Sequence, residues 1–491
     1  FLLYFKLKEF IERLTNYLIM TYIGLKGYSI KKEEISVGDQ RLVRKELTVS
    51  PFVPKSSPAK PKSFSIYRES PKKLYIPRFY GIKNFGPPDS IKIPEGTSIQ
   101  TSFHGELRPT QKKVVKRYLN HAKTHGCGLL ELYCGFGKTI CALNIITRLQ
   151  KKTLVIVHKT FLMNQWIDKI HEFIPNARIG KIQGENIDIE DKDIVLGMLQ
   201  SISMKEYPSS IFKDFGLTII DETHHIGAEV FSQALFKIVT KYMLGLSATM
   251  KRKDGLTKIF KLFLGDIVFS MKRESGKNVM VRSVFYKNND EDYSKVLLNF
   301  KGHTHYALMI KKLCEFSYRT EFILKVLKDV LKEDKEKHVM ILAHNKNILK
   351  YLFDAIKHRN IADPGYYIGG MKENDLNASA KKKVVIATYA MAEEGLDIKT
   401  LNTLIMATPK TDVVQSIGRI LRCDHKEPLV IDIVDQHQVF KNQWQKRLKY
   451  YKRQKYKIMK TSNLKYGQWA PLTAPKKEKH PLLKGVCLLG D

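Results

Sequence analysis

The sequence predicts an α/β protein in which two parallel-sheet units follow one another, behind a small module of different character. Three observations carry this. Short, mostly apolar runs alternate with amphipathic helical segments from Leu107 onward, in two series. A glycine-containing loop, Tyr133-Cys134-Gly135-Phe136-Gly137-Lys138-Thr139, separates one such run from one such helix. Nine of the 18 prolines lie between residues 51 and 94, which argues against long helices there.

Taken in order, residues 1–19 precede Met20 and read as an upstream or non-essential segment. Their apolar character is broken by Lys6, Lys8, Glu9, Glu12 and Arg13, so they lack a signal-peptide layout and cannot form a membrane span. Residues 20–100 form an N-terminal module. Within it, 51–63 reads as an extended connector. The stretch 64–88 mixes basic, apolar and aromatic residues, including Tyr67, Arg68, Tyr75, Arg78, Tyr80 and Phe85, and is predicted as short β-strands.

Residues 101–270 hold the first α/β unit, with buried parallel strands predicted at 129–132, 154–157, 194–196, 217–220 and 243–246. The stretch 271–318 has no clear period and reads as a linker or insert. Residues 319–436 hold the second unit, opening on a charged helix at 322–332. Its strands are predicted at 339–342, 384–387, 403–406 and 429–433. Two such units in tandem fit two RecA-like domains with a cleft between them. Residues 437–491 form a basic tail. From 436 to 465 there are ten Lys and Arg and no Asp or Glu, with Trp444, Tyr450, Tyr451 and Tyr456 interleaved. That pattern fits phosphate contact with base stacking; the alternative is a solvated basic face.

The whole chain carries 84 Lys and Arg against 49 Asp and Glu, a formal charge of +35. Such an excess points to a polyanion, nucleic acid in preference to a membrane surface, because each cation placed on a phosphate releases counterions. The six cysteines contain no C-x-x-C pair and read as free thiols of a reducing compartment.

The chemistry concentrates in a few motifs. In the glycine loop, small residues let backbone N–H groups close around phosphate oxygens, and the helix N-terminus behind adds its positive end. Gly135 and Gly137 provide the turn, Lys138 reaches the β and γ phosphates, and the Thr139 hydroxyl ligates Mg²⁺. Leu132 stands where the general pattern has its first glycine. Asp221-Glu222-Thr223-His224 follows an apolar run. Asp221 can hold Mg²⁺ and Glu222 can polarise the attacking water. Alone, the pair would also fit a helix N-cap and first turn; the upstream Lys138-Thr139 favours the catalytic reading. Ser247 and Thr249, in Gly245-Leu246-Ser247-Ala248-Thr249, could bond His224 and couple the ATP site to the nucleic-acid cleft. Gln415-x-x-Gly418-Arg419-x-x-Arg422 puts two guanidinium groups three apart, suited to a developing γ-phosphate charge.

In this order the motifs resemble those of a superfamily 2 helicase of the DExH type. The 107–111 element LRPTQ resembles the adenine-reading motif, with Gln111 as the reader. His158-Lys159-Thr160, with Gln165-Trp166, resembles motif Ia, and Leu199-Gln200-Ser201 resembles motif Ib. Thr388 with Glu394-Gly395-Leu396-Asp397 resembles motif V. The stretch 245–255, GLSATMKRKDG, is similar to XPB-like and phage recombination helicases. Within that group the chain looks most like the DNA helicases of large nucleocytoplasmic DNA viruses, relatives of the poxvirus transcript-release helicase. Met250 replaces the proline that commonly follows Ser-Ala-Thr, and Thr223 replaces Ala or Cys of the DExH box.

The resemblance implies an ATP- and Mg²⁺-dependent motor on double-stranded DNA that couples hydrolysis to strand separation or transcript release. It assigns catalysis to Glu222, Arg419, Arg422 and Gln415, and nucleotide contact to Gln111, Gly135, Gly137, Lys138, Thr139, Asp221, Gly395 and Asp397. Thr139 and Asp221 are the metal ligands, and His224, Ser247 and Thr249 do the coupling. His158, Lys159, Thr160, Gln200 and Thr388 are the nucleic-acid contacts. It further implies an intracellular place (host cytoplasm, virus factory or virion) and transcription or replication machinery as partners. The alternatives are an RNA helicase and a nucleic-acid-binding scaffold with an inactive ATP site.

Overall fold

The computed structural model describes residues 21–52, 62–222, 228–250, 255–273, 278–394 and 398–472. The segment 1–19 and the site candidates His224, Gly395 and Asp397 lie outside the described residues. The chain divides into two compact units at Arg273. Among the described residues no helix is long and apolar enough to cross a membrane.

The first unit opens with seven short strands: β1 (Thr21–Gly24), β2 (Gly27–Lys31), β3 (Thr48–Val49), β4 (Phe64–Ser65), β5 (Arg68–Glu69), β6 (Lys73–Ile76) and β7 (Ser90–Ile91). Five of them form a sheet in the order β5-β6-β2-β1-β7, and β3 pairs with β4. The stretch expected as strands to residue 88 turns instead into a helix at Arg78–Phe85, which carries Tyr80 and Phe85. Alternation puts Ile23, Tyr28, Ile30, Leu74 and Ile76 on its inner face, all buried. These side chains join one apolar cluster with Leu129, Ile156, Phe231 and Phe260 of the following α/β region. A sheet this small cannot bury a core alone, so its inner face is closed by its neighbour.

The α/β sheet has eight strands: β8 (Cys127–Leu132), β9 (Thr153–Val157), β10 (Ile179–Gln183), β11 (Asn186–Asp188), β12 (Ile194–Met198), β13 (Leu217–Ile220), β14 (Tyr242–Ser247) and β15 (Ile267–Met271). Their order is β11-β10-β12-β9-β13-β14-β8-β15, parallel except for β10 with β11. Strands β9, β12 and β13 are buried along their whole length, because helices cover both faces of a parallel sheet. This register lines up the C-terminal ends of β12, β9, β13, β14 and β8. The motifs at 199–201, 158–160, 221–222, 247–249 and 133–139 leave those five ends, so one rim of the sheet collects them.

The second unit has its own eight-stranded sheet: β16 (Met280–Tyr286), β17 (Val339–Ala343), β18 (Pro364–Tyr367), β19 (Val384–Thr388), β20 (Thr403–Met406), β21 (Leu429–Asp435), β22 (Lys457–Ser462) and β23 (Ala470–Pro471). The order is β18-β19-β17-β20-β21-β16-β22-β23, parallel up to the final antiparallel pair. Two stretches differ here from the sequence-based expectation. The stretch 271–318, expected as a linker or insert, supplies β16, which pairs along its length with β21 and β22. The described part of the basic tail, 437–472, packs into the second unit instead of standing apart from it. Helix Gln438–Arg453 buries Phe440, Trp444, Arg447, Leu448 and Tyr451, and β22 completes the sheet.

The stacking roles expected of Trp444 and Tyr451 are therefore corrected. The Trp444 ring meets Phe285 edge-on at 5.0 Å. The Tyr451 hydroxyl donates to Asp432 at 2.9 Å, and Tyr456 is buried as well. Positions 440, 444, 448 and 451 recur every three to four residues and form one apolar stripe. Burying each such side chain contributes about 1.5–3 kcal/mol. Lys441, Lys446, Lys449, Lys452 and Arg453 remain exposed on the other face.

Candidate functional site

The glycine loop leaves β8 and ends where helix Lys138–Leu149 begins. Gly135 and Gly137 have φ of 84° and 92°, which side chains with a Cβ rarely adopt. A Cβ on Gly137 would also lie 2.5 Å from Gln111 Nε2. Gln111 is buried at the start of helix Pro109–His125. Its Nε2 donates to the Phe136 carbonyl at 3.0 Å, and its Oε1 accepts from Arg108 N at 2.9 Å. The Arg108 guanidinium donates to the same Phe136 carbonyl. From the other side Arg273 donates to the Cys134 carbonyl at 2.7 Å, with its guanidinium 5.0 Å from the Tyr133 ring centroid. The loop is thus held by side chains from the helix before β8 and from the residues just after β15.

Two strands away, Asp221 follows β13. It accepts from Trp166 Nε1 at 2.9 Å and from Glu222 N at 2.9 Å. Glu222 has φ of 48°, an uncommon value for a residue with a Cβ and a mark of local strain. Its carboxylate pairs with Lys138 Nζ at 3.1 Å. Burial, then the charge of Glu222, push the Asp221 carboxyl up to about 6, against the pull of Lys138 and the Trp166 N–H. Burial alone would lower the Lys138 ammonium, but Glu222, Cys134 and Asp221 outweigh it and hold it above its usual range. One cation thus faces two carboxylates in a setting of low solvent access.

Strand β14 lies between β13 and β8, so its end stands between the two halves of this cluster. There the Ser247 hydroxyl donates to the Thr249 carbonyl at 2.6 Å and accepts from Thr249 N at 3.3 Å. Glu131, on β8, accepts from Met250 N at 2.9 Å and from the Ser270 hydroxyl at 2.7 Å. Further along the rim, Gln200 Nε2 donates to the His158 carbonyl at 3.1 Å. His158 is buried, while Thr160 and Gln200 are exposed. The residues expected as nucleic-acid contacts in this unit therefore form one patch at the ends of the paired strands β9 and β12. Thr139 lies in the first turn of the helix behind the loop.

In the second unit, Thr388 ends β19 and its hydroxyl accepts from Met391 N at 3.4 Å. Gln415 and Arg419 lie on the short helix Val414–Arg419. Arg422 comes after that helix ends. Both guanidinium groups still converge electrostatically on Tyr367, at the end of β18. Burial raises its hydroxyl, and Arg419 and Arg422 oppose that rise.

Sequence reasoning gave no role to Trp166, Arg273 or Glu131. Each acts on a motif through the fold. Only the indole next to Gln165 in the motif Ia stretch offered a signal.

Two family profiles match the chain. One, described as "Type III restriction enzyme, res subunit", covers residues 104–252. The other, described as "Helicase conserved C-terminal domain", covers 322–424. The chain is 36% identical over 458 residues to "Putative ATP-dependent RNA helicase L396" of Acanthamoeba polyphaga mimivirus, covering 90% of this chain and 87% of that protein. It is 27% identical to "Putative helicase 161L" of Invertebrate iridescent virus 6, over 80% and 91% of the two chains. An African swine fever virus protein, QP509L, shares the mimivirus protein's description and is 26% identical over 72% and 74%. Among solved structures, that of T4 UvsW covers 91% of this chain and 99% of its own, at 19% identity and a TM-score of 0.36. The chain belongs to the superfamily 2 helicases of large DNA viruses and is an ATP-hydrolysing helicase that binds nucleic acid.

Proposed function

We propose that the chain is a Mg²⁺-dependent motor that translocates on or unwinds double-stranded DNA. The observation that carries the chemistry is the cluster of Lys138, Glu222, Asp221 and Trp166 beside a loop with two left-handed glycines. The donor set fits a magnesium nucleotide: an ammonium faces strand-end carboxylates, at a helix N-terminus whose first turn carries the Thr139 hydroxyl. Thr139 and Asp221 would hold the metal, which when bound would neutralise charge on the nucleotide's phosphates. Gln111 would read the base by turning away from the Phe136 carbonyl, where it holds the loop. Lys138 exchanges Glu222 for a phosphate oxygen, and the released Glu222 carboxylate accepts a hydrogen bond from the attacking water. Arg419 and Arg422 stabilise charge that develops on the γ-phosphate, and Gln415 assists at the same group. Ser247 and Thr249 relay the change toward His158, Lys159, Thr160 and Gln200, with Thr388 as the second unit's contact.

The likeness of 245–255 to XPB-like and phage recombination helicases supports DNA. The descriptions of the mimivirus and African swine fever virus proteins favour RNA, the second reading. ATPase activity titrated with single-stranded DNA, duplex DNA and RNA, with strand-separation assays on matched duplexes, tests both. Stimulation and unwinding confined to RNA would overturn the DNA reading. No stimulation by any of them would overturn the motor itself.

A further inference from the structure

The outward face of the N-terminal sheet carries cations that the motor motifs leave unused. The register sets Tyr22, Ser29 and Tyr75 side by side across β1, β2 and β6, on the face opposite the buried Ile23, Tyr28 and Ile76. Both tyrosine rings are partly exposed. Lys73 Nζ and Lys92 Nζ lie 4.9 and 4.6 Å from the centroid of the Tyr22 ring, and Lys26 Nζ lies 5.1 Å from that of Tyr75. Lys73 also donates to the Tyr22 hydroxyl at 3.2 Å.

Three other cations of this module have acidic partners. Lys31 meets Glu33 and Glu34, and Lys32 and Arg44 share Glu69. Among the described residues, Lys26, Lys73 and Lys92 form no ion pair with a carboxylate. Two ammonium groups over one ring repel each other, and a ring face at an exposed site offsets only about 0.5–1 kcal/mol per cation. A bound anion would relieve that repulsion. Burial acts upward on the Tyr22 hydroxyl, yet Ser29, Lys73 and Lys92 together bring it below its usual range, in keeping with a local positive potential. Among the described residues the register puts no aliphatic side chain on this face to enter a bilayer, whereas exposed rings flanked by cations suit unpaired bases on a phosphate backbone.

We propose that this sheet face is a second nucleic-acid contact, separate from the motor rim, in which Lys26, Lys73 and Lys92 hold the backbone of a single strand and Tyr22 and Tyr75 stack its bases. The proposal rests on the nucleic-acid reading of the motor and gives it a holding point outside the ATP-driven rim.

The test uses the full chain. Lys73→Gln with Lys92→Gln should weaken binding of a fluorescent single-stranded oligonucleotide on the order of tenfold. It should also flatten the dependence of log K on log salt by about 1.4, the value for two lost phosphate contacts on a single strand. Tyr22→Leu should weaken single-strand binding more than duplex binding, and Tyr22→Phe should restore it. Melting temperature and ATPase activity without nucleic acid should stay at the parent values for all three. An unchanged salt slope in the folded double variant overturns the proposal. So does binding that is unchanged on oligonucleotide but lost on phosphatidylserine vesicles or polyglutamate. Failure of the motor reading is distinct, because then the parent chain shows no nucleic-acid-stimulated ATPase.

Discussion

Each unit places an aspartate at the end of a buried parallel strand, the second adds another at mid-strand, and the two units treat them differently. In the second unit Asp435 accepts two hydrogen bonds from Arg319, at 2.5 and 2.9 Å, and one from Tyr293 at 2.7 Å. Asp432 likewise accepts two from Arg447, each 2.8 Å, and one from Tyr451. These are bidentate, fully matched pairs with essentially no solvent exposure. In the first unit, among the described residues, Asp221 has the Trp166 N–H and one backbone N–H, and its neighbour Glu222 pairs with the lysine. Its carboxyl sits at about 6 and Glu222 is strained. The fold is shared, so the number of matched donors decides the role. A saturated carboxylate ties helices to the sheet; an unsaturated one retains free energy that binding a cation or moving a proton can release.

The comparison breaks first at Glu222. Glu222→Gln should cut ATP turnover about 10²–10⁴-fold while nucleotide still binds. Single-turnover hydrolysis and equilibrium binding check both halves; near-parent turnover would remove Glu222 from its role. The second effect is on the other side. Arg319→Met leaves Asp435 buried without its partner and should lower unfolding free energy by about 3–5 kcal/mol in denaturant titration. Replacing Asp435 with Leu at the same time should recover most of that. If the single change were neutral, the saturated pair would not be structural.

The third test sets the two aspartates against each other. The folded Asp221 carboxyl is at about 6, above an unfolded value near 4. Between those values the folded chain holds a proton that the unfolded chain releases, so stability falls as pH rises through this window. The charged carboxylate therefore costs stability above pH 6. Asp221→Asn should raise stability at pH 7 by about 1–3 kcal/mol, with the gain shrinking toward pH 5. Asp435→Asn should lower it at both pH values. Parallel behaviour of the two variants would show that the regions do not differ. The smallest expected effect is at Trp166. Trp166→Phe removes one hydrogen bond to a charged group, about 1.5 kcal/mol, and should raise the Mg²⁺ concentration for half-maximal ATPase roughly tenfold. The melting temperature should move little.

Some of this was readable from residue order. Gly135, Gly137 and Lys138 are contiguous, and an apolar run before them with a helix after them determines their geometry locally. Asp221 and Glu222 were readable because an apolar run ending in a carboxylate marks a strand end. Other features were hidden by the same local reading. β16 lacked a flanking signal, since its partners β21 and β22 lie about 150 residues or more away in the chain. Helix Gln438–Arg453 was obscured by its charge, although the spacing of Phe440, Trp444, Leu448 and Tyr451 held the correct answer.

The sequence by itself determined two α/β units, a phosphate loop and a carboxylate pair, because strand, loop and helix preferences act over a few residues. Tertiary structure alone decided that Trp166 reaches Asp221, 55 residues on, and that Arg273 holds the Cys134 carbonyl, 139 residues back. It also decided that Asp432 and Asp435 each meet an arginine and a tyrosine, whereas among the described residues Asp221 meets an indole and a backbone N–H. Those outcomes depend on which strands lie side by side, and strand order is set by burial of the whole sheet, to which no short stretch of sequence has access.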